Sequence, residues 1–95
     1  MPGAVRVDLD SITSHSDGES SHSSAFSSGS TNVLVNGKGA VRVGDTTICG
    51  DIAATGSSNV LINGQGAMRV GDATTGHGDF APSTAASGST NVNIN

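Results

Sequence analysis

The feature that most restricts this chain is a repeat. Residues 29–45, GSTNVLVNGKGAVRVGD, return at 56–72 as GSSNVLINGQGAMRVGD, with conservative exchanges only. A third copy begins at Gly88 as GSTNVNIN and stops at Asn95. Its second half stands at the other end of the sequence, where Gly3-Ala4-Val5-Arg6-Val7 is identical to Gly39–Val43. The chain therefore holds one unit three times, the third copy (88–95 with 2–10) opened between Asn95 and Met1. Such a circular order predicts that the two ends meet where the other copies make a turn. A unit this short cannot bury its own apolar face, so the copies must share a core.

Each complete copy carries hairpin chemistry. Asn36-Gly37 and Asn63-Gly64 are two-residue turn signals, because such turns need positive φ at both positions. The short run Asn32–Asn36 precedes the first turn, Ala40–Val43 follows it, and Gly44-Asp45 closes the unit. Pro2–Asp10 reads as a strand by comparison with these relatives. Side chains alternate across a strand with period two. Val33, Val35, Val60, Ile62, Val92 and Ile94, β-branched in every copy, are therefore expected to face the core. Leu34, Leu61 and Asn93 fall on the opposite face and are expected outside, as a candidate contact surface for a partner. The expected fold is all-β: one small domain over 1–95, a pseudo-three-fold body of short β-hairpins with its loops gathered at one end.

Composition leaves that body a thin core. Phe26 and Phe80 are the only aromatic residues among 95, so something besides apolar burial has to help hold the fold. The net charge of −4 argues against nucleic acid and against anionic membrane surfaces, both of which call for a basic face. No apolar run is long enough for a signal peptide or a membrane span, so synthesis in the cytoplasm without a leader is expected. A single cysteine, Cys49, excludes an internal disulfide and suits a reducing compartment.

Arg6, Arg42 and Arg69 occupy equivalent positions, and Asp45 and Asp72 follow the last two by three residues. Three arginines around an axis could recognise a partner. The simpler expectation is that each fork of donors ties down its neighbouring carboxylate. In the split copy Val7-Asp8-Leu9-Asp10 replaces Val-Gly-Asp, which leaves its carboxylate unassigned.

The loops carry the chemistry. Ser11–Ser28, rich in serine and compatible by composition with disorder, holds His15 and His22; Thr46–Thr55 holds Cys49; Ala73–Ser87 holds His77. His15 lies nine residues after Arg6, Cys49 seven after Arg42 and His77 eight after Arg69, so each loop offers one metal-ligand type at nearly the same place. His22 supplies a fourth. If the loops converge on the axis, one thiolate and three imidazoles fill a closed, tetrahedral zinc site of the structural kind; iron fits the same donors less well. Metal binding would then add the folding free energy that the core lacks. Two other uses of these residues stay open. The histidines could be solvated loop residues with Cys49 a small buried hydrophobe, leaving a metal-free β-repeat adhesion or binding module. Cys49 could also pair with a histidine as the nucleophile of a small metalloenzyme, although no third, base-orienting group is apparent.

The pattern GS-x-NV-x-(V/I)-NG-x-x-A-x-R-V-GD, repeated and followed shortly by His or Cys, resembles the PAAR-repeat family, the spike-tip proteins of type VI secretion systems and contractile phage tails. The resemblance covers essentially the whole chain. The Pro-Ala-Ala-Arg of the family stands here as Gly39-Ala40-Val41-Arg42, Gly66-Ala67-Met68-Arg69 and Gly3-Ala4-Val5-Arg6. It implies a small cone whose broad base binds the blunt end of a trimeric β-helical spike, one copy per trimer, with a zinc ion near the apex. By position His15, Cys49 and His77 match the family's ligand sites, and His22 completes the set. The implied role is mechanical and not enzymatic: to sharpen and seal the spike as it pierces a target membrane. The implied location is a phage tail baseplate or the tip of a secreted type VI spike, and the absence of an attached effector tilts the expectation towards a phage tail with a bare tip.

Overall fold

Asparagine followed by glycine makes the turns that its chemistry dictates. In the computed structural model, which describes residues 2–16, 21–78 and 80–95, Asn36 and Gly37 have φ of 53° and 85°, and Asn63 and Gly64 have 54° and 84°. Asparagine tolerates this left-handed conformation and glycine adopts it without steric cost. The regular elements are β1 (His15–Ser16), β2 (Ser21–His22), β3 (Leu34–Val35), β4 (Lys38–Gly39), β5 (Leu61–Ile62) and β6 (Gln65–Gly66). They pair as three antiparallel two-stranded sheets, β1 with β2, β3 with β4 and β5 with β6. The chain is all-β, with no helix among the described residues.

The opened copy reproduces the pairing of the closed ones. Leu34 faces Gly39 and Leu61 faces Gly66 in the two hairpins, and Gly3 bridges Asn93 between the chain ends. The N–H groups of Ala40, Ala67 and Ala4 donate to the carbonyls of Val33, Val60 and Val92 at 3.0, 2.9 and 2.9 Å. Glycine is required opposite these residues. A Cβ on Gly39, Gly66 or Gly3 would fall 2.4, 2.7 or 2.2 Å from the carbonyl oxygen of Ser30, Ser57 or Ser89.

The run 40–43 stays on its own hairpin only at Ala40, and from there it pairs with the neighbouring copies. Arg6 bridges Ala40, Arg42 bridges Ala67 and Ala4 bridges Arg69. The same cycle appears in the backbone. The N–H of Val41 donates to Val5 at 3.0 Å, that of Met68 to Val41 at 2.9 Å and that of Val5 to Met68 at 3.2 Å. Each copy thus satisfies the polar groups of the next, and the ring closes without leaving a free edge at these positions.

Two apolar clusters fill the body. Val35, Ile62 and Ile94 pack with Ala4, Ala40 and Ala67, while Val5, Val41 and Met68 pack with Ile12, Phe26, Ala53 and Ala85. Equivalent residues of the copies therefore meet in sets of three. The expectation for the valines that open each run needs correction, since Val33 and Val92 remain 38% and 37% exposed and Val60 is only half-buried. The cause is a serine turn at the head of each hairpin. The buried hydroxyls of Ser30, Ser57 and Ser89 accept the N–H groups of Val33, Val60 and Val92, all at 2.9 Å. This bends the chain at the rim, and regular alternation begins only after it.

Each repeat arginine is tied to an aspartate. Arg42 and Arg69 donate through backbone N–H and Nε to Asp45 and Asp72. In the split copy the partner is Asp10, one residue farther along, at 2.7 Å from Arg6 Nε. The extra residue is absorbed by Asp8, whose φ of 67° stands where Gly44 and Gly71 have 98° and 93°. Arg6 and Arg42 also reach the turn asparagines Asn36 and Asn63 at 3.0 Å each. Burial pushes the Asp10 carboxyl up, but bonds from the Arg6 side chain, the Ser87 hydroxyl and the Arg6 N–H outweigh it and hold the group below the ordinary carboxylate value.

A depressed carboxylate contributes stability above its unfolded pKa and loses it as pH falls through the lower folded value. Asp10→Ala is therefore expected to cost about 2 kcal/mol at pH 7, and the difference from the parent chain should shrink below about pH 4. Urea unfolding of both chains at several pH values measures this. A difference that does not change with pH contradicts the assignment.

Candidate metal centre

Three loops bring four donor groups together. His15 and His22 face each other across β1 and β2, which places two imidazoles side by side. The serine-rich loop compatible by composition with disorder is therefore paired where it is described, also through Ser11 with Ala25, Ile12 with Ala85 and Phe26 with Thr47. Residues 17–20 of that loop lie outside the described residues.

Cys49 sits in a tight turn between Thr46 and Ile52, which bridge each other. The turn needs Gly50 at φ 107°, a conformation that costs a side-chain-bearing residue energy. The Thr47 hydroxyl accepts the Asp51 N–H at 3.0 Å and lies 3.2 Å from the Cys49 sulfur. The Cys49 N–H donates to Ser24 Oγ at 3.0 Å, fastening this turn to the histidine loop. His77 is held by Phe80, with His77 N–H to Phe80 carbonyl at 3.2 Å and the reverse bond at 2.8 Å. Gly76 makes this return possible, because a Cβ there would meet the Phe80 carbonyl at 2.6 Å.

The nitrogens converge. His22 Nε2 lies 2.8 Å from His15 Nε2 and 3.1 Å from His77 Nε2, and one donor atom from each of His15, His22, Cys49 and His77 lies within 4.8 Å of every other. Nδ1 of His15 is 2.7 Å from the Ala81 carbonyl, which only accepts, so Nδ1 donates to it and Nε2 is the ring nitrogen that faces the other donors. A nitrogen at the centre of such a group can donate one proton to one neighbour, and the remaining lone pairs face one another. A cation resolves this by drawing on all of them. Zinc–nitrogen bonds of about 2.0–2.1 Å in a tetrahedron set the nitrogens roughly 3.3 Å apart, a few tenths of an ångström more than is seen here. The donor set and its spacing fit a zinc-type ion.

Phe80 covers the group. Its ring centroid lies 5.1, 4.2 and 4.8 Å from those of His15, His22 and His77. From the sequence alone Phe80 is a loop residue with no part in the site. Asp51 is likewise absent from the expected site, and it lies against it: Oδ1 is 3.6 Å from His77 Nε2 and Oδ2 is 3.7 Å from His15 Nδ1. The tripeptides Cys49-Gly50-Asp51 and His77-Gly78-Asp79 share one spacing, which is the signal that could have drawn attention to it.

The sequence matches the PAAR motif over residues 17–80, some two thirds of its length. The chain belongs to the PAAR-motif family. No curated protein matches it. The matched PAAR region carries His22, Cys49 and His77, both complete repeats and the histidine-capping Phe80, whereas His15 and the split copy lie outside it.

Proposed function

We propose that this chain is a spike tip that caps the end of a trimeric β-helical spike in a contractile injection machine, either a phage tail or a type VI secretion apparatus. The observation that carries the proposal is the closed cycle of backbone bonds through Val5, Val41 and Met68 in a PAAR-family chain. By that cycle one polypeptide imitates three-fold symmetry, and a three-fold surface is what one copy per trimer requires. The capping face is formed by the outward residues of the hairpins. Leu34 and Leu61 are 59% and 61% exposed, and Asn93 stands in the equivalent position of the split copy. Burying two such leucines against the spike removes apolar surface from water and covers strand edges of the partner.

The four donors hold one structural zinc ion at the tapered end of a cone. Four protein ligands close a tetrahedral ion, which is the arrangement of structural zinc and leaves no position for a substrate. The role is mechanical. His15 and His22 come from one loop, Cys49 from a second and His77 from a third. An ion shared among them resists separation of the loops when the tip is driven against a target membrane.

Binding to a trimeric β-helical spike fragment tests the proposal. The parent chain is expected to form a stable complex on size exclusion. Leu34→Asp combined with Leu61→Asp is expected to weaken it at least about a hundredfold while the chain stays folded. Failure of the folded parent chain to bind any such trimer would refute the capping role.

A further inference from the structure

Asp51 is fully buried, and its Oδ1 has no hydrogen-bond partner among the described residues. A carboxylate taken out of water without compensation is strongly unfavourable, so its position calls for a nearby positive charge. Its backbone and Oδ2 are well held: the N–H donates to Thr47 Oγ1 at 3.0 Å and Oδ2 accepts from Thr74 Oγ1 at 2.5 Å. These bonds fix the carboxylate so that Oδ1 faces the Nε2 of His77 from 3.6 Å, on the side where the donor atoms converge. Asp10, Asp45 and Asp72, the other buried aspartates among the described residues, each have an arginine. Asp51 has no lysine or arginine beside it among the described residues, and the basic side chains Arg6, Lys38, Arg42 and Arg69 pair with other aspartates.

We infer that Asp51 is the counter-charge of the metal centre: a positioning residue whose negative charge, more than its shape, favours a divalent ion among the four donors. The inference rests on the assignment of His15, His22, Cys49 and His77 as a metal centre. A divalent ion with one thiolate and three neutral imidazoles keeps one net positive charge. The Asp51 carboxylate brings the buried assembly to zero. A charge acting in this way favours a divalent ion over a monovalent one, a preference that a packing or hydrogen-bonding role does not produce.

Asp51→Asn tests this, because the amide keeps an oxygen to accept from Thr74 and removes the charge. Zinc affinity, measured by competition with a chromophoric chelator, is expected to fall about 10–100-fold. Affinity for a monovalent ion of similar ligand preference, Cu(I), should fall only by about the square root of that factor, since Coulomb energy scales with the ion's charge. With zinc the variant should melt lower than the parent chain, and in excess chelator that difference should largely disappear. Equal losses for the two ions, or a lower melting point in chelator as large as that with zinc, would overturn the inference and leave Asp51 a structural hydrogen-bond acceptor. If the parent chain itself binds neither ion, the metal centre fails first, and Asp51 with it; if the parent binds zinc and Asp51→Asn binds it as tightly, only the role of Asp51 fails.

Discussion

Cys49→Ser is expected to lower the unfolding midpoint by more than about 15 °C. Serine nearly matches cysteine in volume, so packing against the Val5, Val41 and Met68 cluster is almost preserved while the thiolate is lost. A thousandfold drop in affinity at saturating metal corresponds to about 4 kcal/mol. For a domain of this length each kcal/mol moves the midpoint by about 4–8 °C. Chelator added to the parent chain should reproduce the shift, and chelator added to the variant should add little. Equal melting curves for parent and variant, with and without chelator, would remove the structural ion. The size of the effect follows from the thin core. The larger cluster draws its bulk from Phe26, Ile12 and Met68, and no Trp or Tyr contributes to either.

Phe26→Ala is expected to cost about 3–5 kcal/mol, a large share of the roughly 5–15 kcal/mol that holds a domain together. The ring is 0% exposed and is the largest fully buried side chain. Its backbone links two copies' loops: its N–H donates to the Asp10 carbonyl at 3.2 Å, its carbonyl accepts from Asp8 at 3.0 Å, and it bridges Thr47. Truncation leaves a cavity beneath the cysteine turn that neighbours pinned by these bonds cannot collapse into. Phe26→Leu should recover most of the loss. Urea unfolding of the three chains in saturating zinc measures the difference. A cost below about 1 kcal/mol for the alanine variant would mean that the loop contributes no core.

The hairpins were legible because Asn-Gly turn chemistry is local and occurs twice in the same register. The juxtaposition of Gly3 with Asn93 followed from comparing the copies, since Gly3-Ala4-Val5 repeats Gly39-Ala40-Val41. The convergence of His15, His22, Cys49 and His77 could be anticipated only by counting from the repeat arginines, because no local metal motif links them. What escaped depends on packing between copies. Nothing within Ala40–Val43 says that the run leaves its own hairpin after Ala40 and bridges Arg6 and Ala67 of other copies. The exposure of Val33 is decided by a serine hydroxyl three residues earlier, which period-two alternation does not register. Asp10 takes the place of Asp45 because Asp8 accepts a left-handed backbone, a one-residue insertion that alignment by identity leaves ambiguous. The serine-rich composition of 11–28 concealed Phe26 and Ile12, two apolar residues that anchor this loop in the core. Asp51 was hidden among eight acidic residues, and its burial with an unpartnered oxygen separates it from the other described ones.

Native mass spectrometry of this chain mixed with a trimeric β-helical spike fragment addresses the central claim in one spectrum. The expected species is a complex of three spike chains, one copy of this chain and one zinc ion, with the zinc retained when the complex is dissociated into subunits. A spectrum of metal-free chain beside uncapped trimer would contradict it.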